Sequence, residues 1–154
     1  MGDAATMQLF ADDAGFVRAP VALVYRRLTH VAAWPTWWDG VRVRASAPVA
    51  GDEVWAIEFR GARWRRVRVA ARCHGWRFNG GFTQSLRGDL EGRGEFWLEP
   101  THGGTIVHHV LVASSRHPRP TTVLADHRRA VRRGLWGLKA ALELEVRTAV
   151  GLPP

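Results

Sequence analysis

The sequence predicts an α+β domain in which a curved antiparallel sheet of about six to seven strands wraps around one long C-terminal helix. Three observations carry that expectation. Between residues 41 and 114, segments alternating polar with apolar residues follow one another, the period of half-buried strands. The connections between them are short and rich in Gly, Asn and Pro, which fits an antiparallel meander, because parallel crossovers need a dozen residues or more. From Thr122 to Val150 the apolar spacing changes to three or four residues, the spacing of a helix with one buried stripe.

Residues 7–18 read as the first strand, with an interruption near Asp12 and Asp13. Pro20 suits the first turn of a short helix over 21–30, in which Val21, Val24, Tyr25 and Leu28 share a side. His30 to Trp38 is expected to form a second short helix or helical turn, broken around Pro35 and ended by Asp39-Gly40. It carries Trp34, Trp37 and Trp38. Large aromatics bury much area for little conformational entropy, so such a cluster caps a core or walls an apolar pocket.

The strands then follow in order. Val41 to Ala47 stops at Pro48. Val54 to Arg60 sets Trp55, Ile57 and Phe59 on one face, with Glu58 and Arg60 on the other. Arg65 to Cys73 sets Val67, Val69, Ala71 and Cys73 against Arg66, Arg68 and Arg72. Trp76–Leu86, broken at Asn79-Gly80-Gly81, Gly92–Glu99 and Thr105–Ser114 complete the sheet. In the last helix, Leu124, Val131, Leu135, Leu138 and Leu142 make the stripe. Gly134 and Gly137 interrupt it, although glycine is less favourable than alanine in a helix by about 1 kcal/mol. Three readings of Gly134 stand open: it admits a close neighbour, leaves room for a ligand, or is merely tolerated in the helix. Gly151 and Pro153-Pro154 end the helix. The whole of 1–154 reads as one domain, with 1–6 expected to be flexible.

The chain's 154 residues can bury a sizeable core. No stretch approaches the ~20 apolar residues of a membrane span, and the first twenty residues lack a charged start followed by an apolar run. A cytoplasmic protein without stable membrane insertion is expected, as a monomer or homodimer. Cys73 is the single cysteine and fits a reducing compartment. The net charge is +8, and of 22 basic residues only Lys139 is not arginine. The arginines are scattered, with no run of five like charges, so they read as a solvated surface and no nucleic-acid partner is expected.

No cofactor is expected, and no metal. His108 and His109 are adjacent on a strand and point to opposite faces, as do Cys73 and His74. HxH, HxxxH and CxxC pairs are absent from the sequence. Ser114-Ser115 lies near His117 in a strand exit rather than in a braced triad, and there is no GxSxG elbow.

A strand, two short helices, a meander and a long final helix make up the helix-grip layout. With VRAPVALVYRRLTHVAAWPTWWDGV at 17–41, GDLEGRGEFWLEPTHGGTIV at 88–107 and the final helix, the sequence resembles the START-like (SRPBCC) superfamily, which includes polyketide cyclases, aromatases and lipid-transfer proteins. Within it the chain looks like a branch marked by WPxWW followed by GDLxGxG. The resemblance implies a hydrophobic cavity between sheet and helix, and a shared cavity does not name a shared chemistry. The aromatase/cyclases often hold an arginine in that cavity to polarise a carbonyl. In the matching WRRVRVAAR at 64–72 only Arg65 has inward parity.

Alternation then gives the candidate ligand-binding residues. From the strands these are Trp55, Ile57 and Phe59; Val67 and Val69; Phe96 and Leu98; and Val107, His109 and Leu111. The last helix adds His127, Val131, Gly134 and Leu138, and Trp34, Trp37 and Trp38 are placed near one mouth. His109, His127 and Arg65 are the candidate catalytic groups. Binding of a hydrophobic small molecule (a lipid, polyketide or aromatic metabolite) is the first function expected. A polyketide cyclase, aromatase or dehydratase acting on an enolisable substrate in the same cavity is the alternative. A third is an adaptor using the basic helix face around Arg129, Arg132, Arg133, Trp136 and Arg147.

Overall fold

The structure, a computed structural model, describes residues 6–153. Strand β1 (Leu9–Val17) leads into helix α1 (Val21–Thr29) and a 3₁₀ helix at Val31–Thr36. Six strands follow: β2 (Val41–Val49), β3 (Asp52–Arg60), β4 (Arg66–Arg77), β5 (Gly81–Gly88), β6 (Glu91–Thr101) and β7 (Gly104–Ser114). Helix α2 (Pro120–Ala149) closes the fold. All seven strands form one antiparallel sheet in the order β1-β7-β6-β5-β4-β3-β2. The meander therefore runs from β2 to β7, and β1 returns beside β7.

Alternation decides which face is inner. Ile57, Phe59, Val67, Val69, Phe82, Phe96, Leu98, Val107 and Leu111 are all buried, and α2 lays Val123, Val131, Leu135, Leu138 and Leu142 among them. Burying one such aliphatic side chain contributes about 1.5–3 kcal/mol, so this layer is the core of the domain. No helix among the described residues is long and apolar enough to cross a membrane.

Several boundaries differ from the pattern in the sequence, each for a physical reason. Strand β1 is not interrupted at Asp12-Asp13: Leu9, Ala11, Asp13 and Val17 stay on the buried face. Asp13 is tolerated there because Arg128 and Arg132 bond its carboxylate at 3.0–3.1 Å. The segment expected as one broken strand at Trp76–Leu86 is a hairpin instead. Asn79 takes φ +56° and Gly81 φ +132°, the left-handed geometry that turns a chain rather than kinking it. Trp76 thus lies one residue before the end of β4 and stacks on Phe82 of β5 at 4.8 Å. Helix α2 starts at Pro120, which occupies its first turn, rather than at Thr122. Of the start expected to be flexible, residues 1–5 lie outside the described residues.

Candidate functional site

The sequence pattern places Trp34, Trp37 and Trp38 near a mouth; they lie instead in the core, at 0%, 8% and 3% exposure. Two are pinned by their indole N–H groups, Trp34 donating to the Leu28 carbonyl at 2.9 Å and Trp38 to that of Ala130 at 2.8 Å. Their rings stack between α2 and the sheet, Trp34 to Trp38 at 5.0 Å and Trp37 to Trp38 at 5.7 Å. The helix can approach so closely because of its two glycines. A Cβ at Gly134 would sit 2.8 Å from Cζ2 of Trp38 and closer still to two other ring atoms. A Cβ at Gly137 would run into the Trp37 carbonyl oxygen. Gly134 therefore serves the close neighbour, not an empty space. What is left between Leu28, Trp37, Trp38, Phe96, Val131 and Leu138 has no room for even a water molecule. The gripped space expected as an open cavity is packed with side chains in this structure.

Beside the tryptophans lies the polar part of the interior. Asp13, His109, Phe96 and Phe82 are successive cross-strand partners over β1, β7, β6 and β5. The next rung on the same face runs Ala11, Leu111, Gly94, Gln84 and Cys73. Opposite them α2 presents His127, whose ring stands 5.7 Å from that of His109 and 5.1 Å from Phe59. His109 in turn packs on Phe96 at 4.6 Å. Both histidines are 3% exposed. Burial drives the His109 pKa down to about 3, helped by His127, and drives that of His127 down to about 4; Asp13 pulls both the other way. At neutral pH the pair is therefore uncharged, each ring with one donor and one acceptor nitrogen. His127 Nδ1 is buried and has no partner among the described residues, and the same is true of the Trp37 and Trp55 indole nitrogens. Each such group costs about 1–3 kcal/mol relative to a satisfied one.

Arg65 does not join this interior. It precedes β4, and its guanidinium reaches over the sheet end to Asp126 of α2, Nε at 2.7 Å and Nη2 at 3.1 Å. Strand parity does not govern a residue in a turn, which is why its inward assignment fails. Asp126 also accepts the Ala62 amide at 3.0 Å, and the Arg65 bond, outweighing burial, holds its carboxyl below the usual carboxylate range. This clamp ties the β3–β4 turn to α2. Because Arg65 is partly exposed, we expect Asp126→Ala to lose only about 1–3 kcal/mol. Amide exchange at Ala62 should accelerate at least tenfold, as read by hydrogen–deuterium exchange; an unchanged rate would remove the clamp from the account. On the expected basic face of α2, Arg132 is engaged by Asp13 and Arg133 by the carbonyls of Asp39 and Arg60. Trp136 is 70% exposed beside Phe16 and Lys139.

The other candidates are where alternation puts them. Ile57, Phe59, Val67, Val69, Phe96, Leu98, Val107 and Leu111 face inward from the sheet, and Val131, Gly134 and Leu138 face them from α2, with Trp55 half-buried. Sequence reasoning misses Asp13, Gln84 and Asp126. Asp13 has a legible signal, since it shares parity with Leu9 and Ala11. Gln84 has a weaker one, lying two residues from both Phe82 and Leu86 in β5.

No protein-family model matches the chain, and no curated protein matches it in sequence. Solved structures match it in fold. The Zhui aromatase/cyclase from Streptomyces sp. R1128 is 15% identical with a TM-score of 0.72, over 96% of this chain and 100% of that one. TTHA0849 from Thermus thermophilus is 18% identical with a TM-score of 0.73, over 89% and 99%. A START superfamily protein from Mycobacterium smegmatis is 12% identical with a TM-score of 0.72, over 88% and 97%. The chain spans about half the length of the di-domain aromatase/cyclase StfQ, matching 52% of it at 18% identity and a TM-score of 0.66. The fold is the helix-grip fold of START-like proteins.

Proposed function

We propose that the chain binds a hydrophobic small molecule carrying one hydrogen-bonding group, held between α2 and the inner face of the sheet against His109 and His127. The observation that carries this reading is the pair of uncharged imidazoles inside an aromatic cage, with His127 Nδ1 left without a partner. A core selected for stability alone would fill that position with an apolar side chain, because an unsatisfied buried nitrogen costs about 1–3 kcal/mol. A ligand hydroxyl or carbonyl supplies the missing partner. Room for it comes from Trp37, the tryptophan of the cluster whose indole N–H is not anchored. Its outward rotation adds its own volume to the space already bounded by Trp38, Phe96 and Leu138.

The test is a titration with N-phenyl-1-naphthylamine, an uncharged apolar probe, followed by tryptophan quenching. Saturable micromolar binding is expected. His127→Leu should weaken it about fivefold or more while raising the melting temperature by a few degrees, since removing the unsatisfied nitrogen stabilises the empty protein by about 1 kcal/mol. A probe that never saturates, together with native mass spectra showing no co-purified molecule, would overturn the reading. Cyclisation of an enolisable polyketide in the same space is the second reading, favoured by the juxtaposition of His109 and His127. Their lowered pKa values keep both rings neutral at pH 7, each with a free lone pair but a weaker base than an exposed histidine, and leave no imidazolium to act as general acid.

A further inference from the structure

The outward arginines, which look scattered along the sequence, are gathered by the strand register. On the outer face of the sheet, Arg44 of β2, Ala56 of β3, Ala70 of β4 and Arg87 of β5 are successive cross-strand partners. Directly opposed residues share a face, so this rung carries a guanidinium at each end and two methyl groups between. Three strand spacings separate its ends by roughly 14 Å, a distance that two arginine side chains leaning inward from either end can close. The neighbouring rung sets Arg42 opposite Glu58, and Glu58 opposite Arg68. Together they border an open groove of about 780 Å³.

Charge in this groove is unbalanced. Among the described residues Glu58 is its one acidic lining residue, and it is already engaged by Arg66 at 3.4 Å and Arg68 at 3.2 Å. Asp89, which follows the lining residue Gly88 in sequence, accepts the Arg68 amide. Arg42, Arg44 and Arg87 have no acidic partner among the described residues, and all three are exposed. Three unopposed guanidiniums around one concavity repel one another and attract a multivalent anion. The planar guanidinium fork matches phosphate oxygens in a bidentate way, and the small Ala56 and Ala70 side chains let an anion approach the floor closely. Among the described residues the groove carries no aromatic side chain on which a base could stack, which disfavours a single-stranded nucleic acid.

We propose that this outer groove is a second binding site, on the side of the sheet away from α2, for a phosphate-bearing ligand whose anionic group sits between Arg44 and Arg87 with Arg42 alongside. The site does not depend on the interior reading. It is tested by calorimetric titration with inorganic pyrophosphate at about 0.15 M salt, and in parallel by sedimentation with phosphatidylcholine vesicles with and without phosphatidic acid. The first arm reads free phosphate compounds and the second a lipid headgroup. Binding in either arm is expected, with at least a tenfold loss in Arg44→Ala/Arg87→Ala, whose exposed side chains leave the fold intact. Arg129→Ala/Arg147→Ala removes the same charge from exposed positions on α2 and should leave affinity within about twofold. No binding in either arm in the millimolar range would overturn the proposal, and so would an equal loss in both double variants, which would mean a response to net charge alone.

Discussion

Gly137→Ala is expected to destabilise the protein by about 3 kcal/mol or more, and Gly134→Ala by about 2–3 kcal/mol, although both changes favour an isolated helix. The helix term alone predicts a gain of about 1 kcal/mol for each. Packing reverses the sign. At Gly137 the new Cβ meets the Trp37 carbonyl oxygen, a backbone atom that moves only if the segment after the 3₁₀ helix lifts off α2. At Gly134 it meets the Trp38 ring, which cannot swing aside because its N–H is bonded to the Ala130 carbonyl and it is stacked by Trp37 and packed by the tilted ring of Trp34. Overpacking of this kind typically costs about 1–3 kcal/mol, and more where backbone must shift. For a domain of this size the melting temperature should fall by roughly 4–12 °C. Urea denaturation of the two variants checks the result, and wild-type stability in either would mean that the helix does not rest on the tryptophans as described.

Those glycines also mark how far the sequence can be read. The strands of the meander are legible because one face is wet and the other dry, so polarity alternates along β3 and β4 without help from distant residues. The stripe of α2 is legible for the same reason. The tryptophan cluster is legible as an aromatic block but not as core, because its burial depends on backbone proximity between two segments about a hundred residues apart. The signal is nonetheless present: Gly134 and Gly137 are three apart and share a helix face, as two large side chains approaching one helix require. Arg65 is misread because alternation holds only inside a strand, and it lies in the turn before β4. An open or filled interior is not legible at all. Alternation names the residues on the inner face, whereas the volume they leave depends on how three tryptophans and two histidines fit together. Within the site, the pairing of His109 with His127 can be drawn from parity and helix phase, while Asp13 requires knowing that Arg128 and Arg132 reach it from α2.

Lowering the pH from 8 to 5 is expected to remove about 4 kcal/mol of stability, most of it through His109 and His127. Both have folded-state pKa values near 3 and 4, below the value of about 6.5 for an exposed histidine in the unfolded chain. Below pH 6.5 the unfolded chain therefore binds protons that the folded protein refuses, and stability falls as pH falls. At pH 5 each histidine accounts for about 2 kcal/mol, with a combined slope approaching about 2.7 kcal/mol per pH unit. The carboxylates act in the same direction at lower pH. Burial raises Asp13, but its bonds with Arg128 and Arg132 outweigh that, so its pKa, like that of Asp126, lies below the usual value. Their contribution is lost only as pH drops through the carboxylate range, which leaves the window between pH 7 and 5 to the histidines. Urea midpoints measured across that window should fall steeply in the wild type and by about half as much in His127→Leu. A flat profile in the wild type would mean that the two imidazoles reach water, and the site would then be open rather than dry. A ligand that bonds the neutral form of His127 should steepen the loss further, because protonation would expel it along with the fold.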